Sequence, residues 1–222
     1  MTARKDFTPN KVSPLATEPM RARVANVRQA TARARGQHAR RDILRRAADL
    51  ASLDGLDRVS IGRLASAMDM SKSGLYAYFA SKQDLQLATI DCAWRVFHER
   101  VLENAEGPGE LPDLLERWIA YYEREEFPGG CFFVTAAVEF ANRGGAVHDA
   151  LAQAIERQIA ALHAAAVRAR EAGGLSGAAD AAQVAFELHA FVTSANERYR
   201  LTGDPEAFAQ ARVAVRRVLA RG

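Results

Sequence analysis

An all-α fold is what this sequence predicts, and three observations predict it. Apolar residues recur at intervals of three and four along most of the chain. Alanine, the strongest helix former, is abundant, and no stretch alternates apolar and polar residues with the period of two that a half-buried strand requires. At 222 residues, 49% hydrophobic and 26% charged, the chain is long enough to bury a core in one medium domain or two small ones.

The elements follow in order. Residues 1–36 read as a basic, flexible arm: they hold three prolines (Pro9, Pro14, Pro19) and few large apolar residues. Helix 1 is expected from about Gln37 to Leu53, with Ile43, Leu44, Ala47, Leu50 and Ala51 inward, and Asp54-Gly55 ends it. Ser60 caps helix 2, which turns Ile61, Leu64 and Ala65 to the core. Met68-Asp69-Met70 reverses the chain, and Ser71 caps a short helix 3 containing Leu75 and Tyr76. Ser81 and Asp84 have capping-box spacing at the start of a long helix 4 that runs toward Glu103. Gly/Pro breaks at Gly107-Pro108-Gly109, Pro128-Gly129-Gly130, Gly144-Gly145, Gly173-Gly174 and Gly203-Asp204-Pro205 then delimit helices of about 111–126, 130–142, 146–172, 178–201 and 205–220.

Charge is unevenly distributed. Residues 1–80 carry 15 Lys and Arg against 7 Asp and Glu, a net of +8; residues 81–222 carry 15 against 20, a net of −5. A basic N-terminal part points to a polyanion as its partner, and nucleic acid is the first candidate. From Met20 to Arg41 there is no acidic residue, while seven arginines recur. Such a run either folds on DNA or is a solvated tail.

Helix 2, a three- or four-residue turn and helix 3 form a helix-turn-helix, in which the second helix enters the major groove. Ala65 and Ala67 permit close packing of the two helices. Ser71, Lys72 and Ser73 gather at the start of helix 3, where free N–H groups and the helix dipole already favour phosphate.

The segments Ile61-Gly62-Arg63-Leu64-Ala65, Met70-Ser71-Lys72-Ser73-Gly74-Leu75-Tyr76-Ala77-Tyr78-Phe79 and Ser81-Lys82-Gln83-Asp84-Leu85 together resemble the DNA-binding signature of the TetR family of bacterial transcriptional regulators. The resemblance spans about residues 40–90. It implies an N-terminal DNA-binding domain (37–84) followed by a helical effector-binding and dimerisation domain (85–222). It also implies phosphate contacts from Ser60, Ser71, Lys72, Tyr76 and Lys82, with Ser73, Gly74 and Tyr78 nearest the bases and Leu75 and Phe79 in the core. Ala77 departs from the larger residue common at that position in the family.

A recognition helix of about eight residues reads only a few base pairs, so a homodimer that sets two of them in successive major grooves of double-stranded operator DNA is expected. The last two helices are the candidates for pairing. Their stripes are Val184, Ala185, Leu188, Phe191, Val192, Ala195 and Tyr199 on one, and Phe208, Ala211, Val215, Val218 and Leu219 on the other. The same stripes would serve equally to bury the helices within one chain. The resemblance further implies an effector cavity among the middle helices. Its candidate lining is Trp94, Phe97, Trp118, Tyr121, Tyr122, Phe133, Phe140, His163 and His189, with Trp118, Tyr122 and His163 preferred as large residues with a polar handle. An aromatic lining suits an apolar or aromatic small-molecule effector. Cys131, after Gly129-Gly130 at a helix start, is either a redox-sensitive thiol or a packing residue.

Other classes lack their motifs. The five histidines show no HExxH spacing, no GxSxG elbow or glycine-rich phosphate loop occurs, and Cys92 and Cys131 fit no metal-ligand spacing. No enzymatic activity, cofactor or metal is expected. The chain has no apolar run of the roughly 18 residues a membrane helix needs and no secretory leader, so it is assigned to the cytoplasm. The function expected is that of a repressor released from its operator by an effector. An activator, or a regulator controlled by a protein partner, is the alternative.

Overall fold

The computed structural model describes residues 18–103, 110–175 and 180–220, side chains included except at positions 18–30 and 32. The elements are α1 (Glu18–Asp54), α2 (Ile61–Ala67), α3 (Lys72–Tyr76), α4 (Lys82–Phe97), α5 (Glu110–Glu123), α6 (Phe132–Phe140), α7 (Ala146–Glu171), α8 (Ala181–Thr202) and α9 (Glu206–Leu219). A 3-10 turn, Leu56–Arg58, follows α1, and a π-helical segment, His98–Leu102, continues α4. There is no strand among the described residues, and no helix among them is long and apolar enough to cross a membrane.

Two units divide the chain, Met1–Arg40 and Arg41–Gly222. In the first, the backbone is helical from Glu18, nearly twenty residues before the start expected from the sequence. Pro19 lies in the first turn, where its missing N–H has no partner to lose. Between it and Arg41 only Gly36 strongly opposes a helix, among alanines and arginines that favour one. Charge and prolines had outweighed that propensity in the reading of an arm. Residues 1–17 of the arm and the Gly107-Pro108-Gly109 break lie outside the described residues.

In the second unit the C-terminal turns of α1 bury Ile43, Leu44, Ala47, Ala48 and Ala51 at the expected spacing. Ser81 caps α4 by accepting the Asp84 N–H at 3.1 Å, and the Asp84 carboxylate returns to the Ala80 N–H at 2.9 Å. Helices α7, α8 and α9 pack in succession, with α5 set against all three. Two ion pairs tie this bundle at its edges. Glu110, at 5% exposure, takes both branches of the Arg168 guanidinium at 2.5 and 2.6 Å, joining the start of α5 to the end of α7. Arg212 of α9 is held between Glu116 and Glu123 of α5 at 2.6 and 2.7 Å, and the two carboxylates keep it firmly charged.

The junction of α1 with the segment before α6 is close. The Gly129 N–H donates to Ser52 Oγ at 3.0 Å, and a Cβ at Gly129 would lie 1.9 Å from the Ser52 carbonyl oxygen. Only glycine fits there. Beside it, Arg45 lies over the Phe127 ring at 4.6 Å and pairs with Glu126, which also takes Arg100 at 3.3 Å.

The apolar stripes of α8 and α9 bury mostly within the chain. Val184, Ala185, Leu188, Val192 and Ala195, with Phe208, Ala211, Val215 and Val218, belong to its own core. What α8 leaves uncovered is a different face, on which Phe186 and Leu201 are 66% and 88% exposed and Ala190 and Ser194 lie between them. One helix thus carries two apolar faces, and periodicity alone did not separate the inward one from the outward one.

His189 of α8 stands edge-on to Trp118, ring centroids 5.7 Å apart, and burial holds its pKa below the ordinary histidine value. The unfolded chain therefore takes this proton first. Stability from neutral His189 is complete above about pH 6.5 and falls as the pH drops below it, by at most about 1.4 kcal/mol per pH unit. Urea unfolding at fixed protein concentration from pH 7.5 to 5 should show a steeper acid loss for the wild type than for His189→Phe. Equal slopes would show that His189 does not contribute.

Candidate nucleic-acid interface

The helix-turn-helix is built from two side-chain caps and a left-handed turn. Ser60 accepts the Arg63 N–H at 3.3 Å to start α2, and Ser71 accepts the Gly74 N–H at 3.0 Å to start α3. Each such cap is worth about 1 kcal/mol. Between them Asp69 adopts φ 52°, and the N–H groups of Met68 and Met70 both donate to the Ala65 carbonyl. Leu64, Ala65, Leu75 and Phe79 are buried, which fixes α3 against α2 and the end of α1.

With Leu75 and Phe79 turned inward, the opposite face of α3 is free. Ser71, Lys72, Ser73, Tyr76 and Ala77 are exposed, Tyr76 at 59%, and Ser71 Oγ lies 3.1 Å from Ser73 Oγ. Gly62 leaves room for the Lys72 stem, since a Cβ there would meet Lys72 Cε at 3.3 Å. The spacing of Gly62 and Lys72 does not announce this crossing. Gly74 and Ser60 are half-buried at the margin of the same surface. Tyr78 is half-buried too, its ring 6.4 Å from that of Phe79.

Lys82 differs from the rest. Its ammonium pairs with Asp57 at 2.8 Å, and Asp57 also takes Arg143 at 3.2 Å; the two cations together lower the Asp57 pKa. A cation at a helix start is disfavoured by the dipole, but a carboxylate of the chain itself already compensates this one. Asp57 belongs to a junction that sequence reading missed. The Glu139 carboxylate of α6 accepts the N–H groups of Leu56 at 2.7 Å and Asp57 at 3.1 Å, capping the 3-10 turn from 82 and 83 residues away. Gln86 of α4 donates to the Leu56 carbonyl at 3.2 Å. Gly55, at φ 93°, lies so close that a Cβ would stand 2.9 Å from Glu139 Oε1. A glutamate on the apolar helix α6 is the one signal that could have drawn notice.

Of the preferred effector residues, two come together and one does not. Trp118 and Tyr122 are buried on α5; the indole N–H donates to the Tyr122 hydroxyl at 2.8 Å, and that hydroxyl bonds to Cys131. Phe97, Tyr121, Phe127, Phe132 and Phe133 surround them as an edge-to-face aromatic cluster. His163, by contrast, lies on the exposed side of α7, because the adjacent Leu162 occupies the buried stripe. Burial raises the Cys131 thiol pKa, which keeps it protonated and unreactive while the chain is folded. Buried polar atoms of Gln158, Thr193 and Asn196, on α7 and α8, have no hydrogen-bond partner. Gln158 interrupts the apolar stripe of Leu151, Ala154, Leu162 and Ala165, a signal legible in the sequence but not used.

The geometry is that of a helix-turn-helix DNA-binding regulator. Residues 43–89 match the family model "Bacterial regulatory proteins, tetR family", and residues 107–215 match "Tetracyclin repressor-like, C-terminal domain". The chain belongs to the TetR family of transcriptional regulators. A TetR transcriptional regulator from Chloroflexus aurantiacus superposes with a TM-score of 0.77 at 21% identity, covering 84% of this chain and 96% of that one. A TetR-family regulator from Cytophaga hutchinsonii gives 0.70 at 21% identity, over 82% and 94%. AibR, solved in complex with isovaleryl coenzyme A and operator DNA, gives 0.62 at 23% identity, over 78% and 95%. The comparison with curated proteins returns no match.

Replacing Glu139 by alanine orphans two N–H groups. Glu139→Ala should lower unfolding stability by about 1–3 kcal/mol in urea titrations, with Glu139→Gln retaining part of it. A loss below about 0.5 kcal/mol would show that water replaces the carboxylate without cost.

Proposed function

We propose that the protein is a repressor that binds double-stranded operator DNA as a homodimer through α3 and leaves it when a small molecule occupies the helical region after α4. The observation that carries this reading is the two-sided α3: Leu75 is buried, while Ser71, Lys72, Ser73 and Tyr76 form an exposed surface of hydroxyls and one cation. Hydroxyls and cations at a helix start take phosphate, and the exposed face is the width that a major groove admits. Ser60 and Tyr76 add phosphate contacts, Ser73, Gly74 and Tyr78 approach base edges, and Lys82 reaches a phosphate by exchanging Asp57 for it.

The effector of this reading is apolar or aromatic. The cluster around Trp118 and Tyr122 supports that chemistry, and the unpartnered atoms of Gln158, Thr193 and Asn196 supply polar groups that a bound molecule would satisfy. AibR, with an acyl coenzyme A and operator DNA in one complex, supports the pairing of the two ligands on this fold. Release requires that a shift among the later helices reach α3, and the Glu139 carboxylate on the turn before α2 is the contact through which α6 would transmit it.

The test is fluorescence anisotropy of duplexes from the DNA flanking the gene. One near-palindromic fragment should bind tightly and in a salt-dependent way. Lys72→Ala should weaken it by roughly 10- to 100-fold and Tyr76→Phe by roughly 3- to 10-fold, from the usual worth of charged and neutral hydrogen bonds. Equal, weak binding of every duplex would overturn the reading.

The homodimer has its own test. Phe186 and Leu201 on the uncovered face of α8 are the anchors in this reading, so Phe186→Arg with Leu201→Glu should raise the dimer dissociation constant at least about tenfold in sedimentation equilibrium, through lost apolar burial. An unchanged dimer would move the interface elsewhere.

A further inference from the structure

We propose that the N-terminal stretch of α1, from Glu18 to Arg40, is a second DNA-binding element, a helix that takes duplex phosphates without reading bases. The inference rests on the DNA-binding reading above but on different residues. Between Pro19 and Arg41 the sequence carries seven arginines and no carboxylate. An ordinary exposed helix offsets its cations with acidic partners three or four residues away; this one has none in that span. Its charge is left for an anion outside it.

The helical backbone gives those charges an order that a flexible arm would lack. At about 1.5 Å of rise and 3.6 residues per turn, positions 21, 28 and 35 fall on one face, about 10 Å apart. That spacing is close to three base-pair steps of about 3.4 Å along one strand. Arg33 and Arg35 are exposed. The helix has little else to do with this surface: from Arg28 to Arg40 no apolar side chain is larger than alanine, so it offers no apolar face to a protein core or to the acyl layer of a membrane. The helix-turn-helix on the same chain would hold duplex DNA near it at high effective concentration, which makes duplex DNA the favoured polyanion.

The experiment uses the full chain with Arg21, Arg28 and Arg35 replaced together by alanine, which preserves helix propensity, and together by lysine, which preserves charge. Anisotropy titrations run from 50 to 300 mM KCl, against the tightest-binding flanking duplex and a scrambled duplex of the same length. Each lost phosphate contact lowers the salt slope, log Kd against log salt, by about 0.9. The alanine variant should lose at least that much and bind both duplexes at least about tenfold more weakly near 0.1 M salt, by the same factor for each; the lysine variant should keep the wild-type slope. A slope change under about 0.9, or a loss confined to the flanking duplex, overturns the proposal. So does retention of the DNA slope with loss of binding to phosphatidylserine vesicles, which would assign the helix to a membrane surface. Failure of the α3 reading is distinguishable, because the wild type would then not discriminate between the two duplexes.

Discussion

A helix of five residues holds barely one turn of hydrogen bonds and has no stability of its own. Everything this protein offers through α3 therefore depends on what lies beneath and beside that turn. Leu75 anchors it from below, Phe79 closes its far end, and the Ser71 hydroxyl fixes its first N–H groups. The support continues outward. The turn before α2 is capped by Glu139, and Gln86 of α4 holds the carbonyl of the same turn. The exposed hydroxyls and lysine stand on a surface held at several points by helices distant in sequence.

Local features were the legible ones. The caps at Ser60, Ser71 and Ser81, the breaks that end each helix, and the inward residues of α1, α2 and α3 could all be read, because each is decided within about four residues of itself. The long-range groups could not. Glu139 reaches a turn 82 residues away, and Asp57 takes Lys82 and Arg143 together; no periodicity encodes such a pairing. The same limit explains α8, where an apolar stripe could be recognised but not assigned to the inside or the outside. It explains His163 as well, one helical step from the buried Leu162. The early start of α1 is the opposite case, in which local propensity was correct and the charge pattern drew attention away from it.

The middle of the chain combines two kinds of order. Around Trp118 and Tyr122, rings meet edge to face and the polar atoms of the two side chains satisfy each other and Cys131. On α7 and α8, Gln158, Thr193 and Asn196 bury polar atoms that nothing in the chain satisfies. Leaving a buried polar group unpaired costs about 1–3 kcal/mol, so a chain that retains three of them carries a standing preference for a hydrogen-bonding guest. The aromatic cluster makes no such demand. Polar recognition thus sits on α7 and α8, whereas the aromatic cluster contributes shape and bulk.

Gly129 carries a consequence for how such proteins can be recombined. With room for no atom beyond hydrogen against the Ser52 carbonyl, the joint between the end of α1 and the approach to α6 is machined to a single fit. A DNA-reading head of this architecture is consequently not a cassette to be cut at the start of α4 and grafted onto another body. A workable chimaera would carry the glycine and the α6 carboxylate along with the head, so the inherited unit is discontinuous in sequence, with the recognition helix in one segment and its mounting in another.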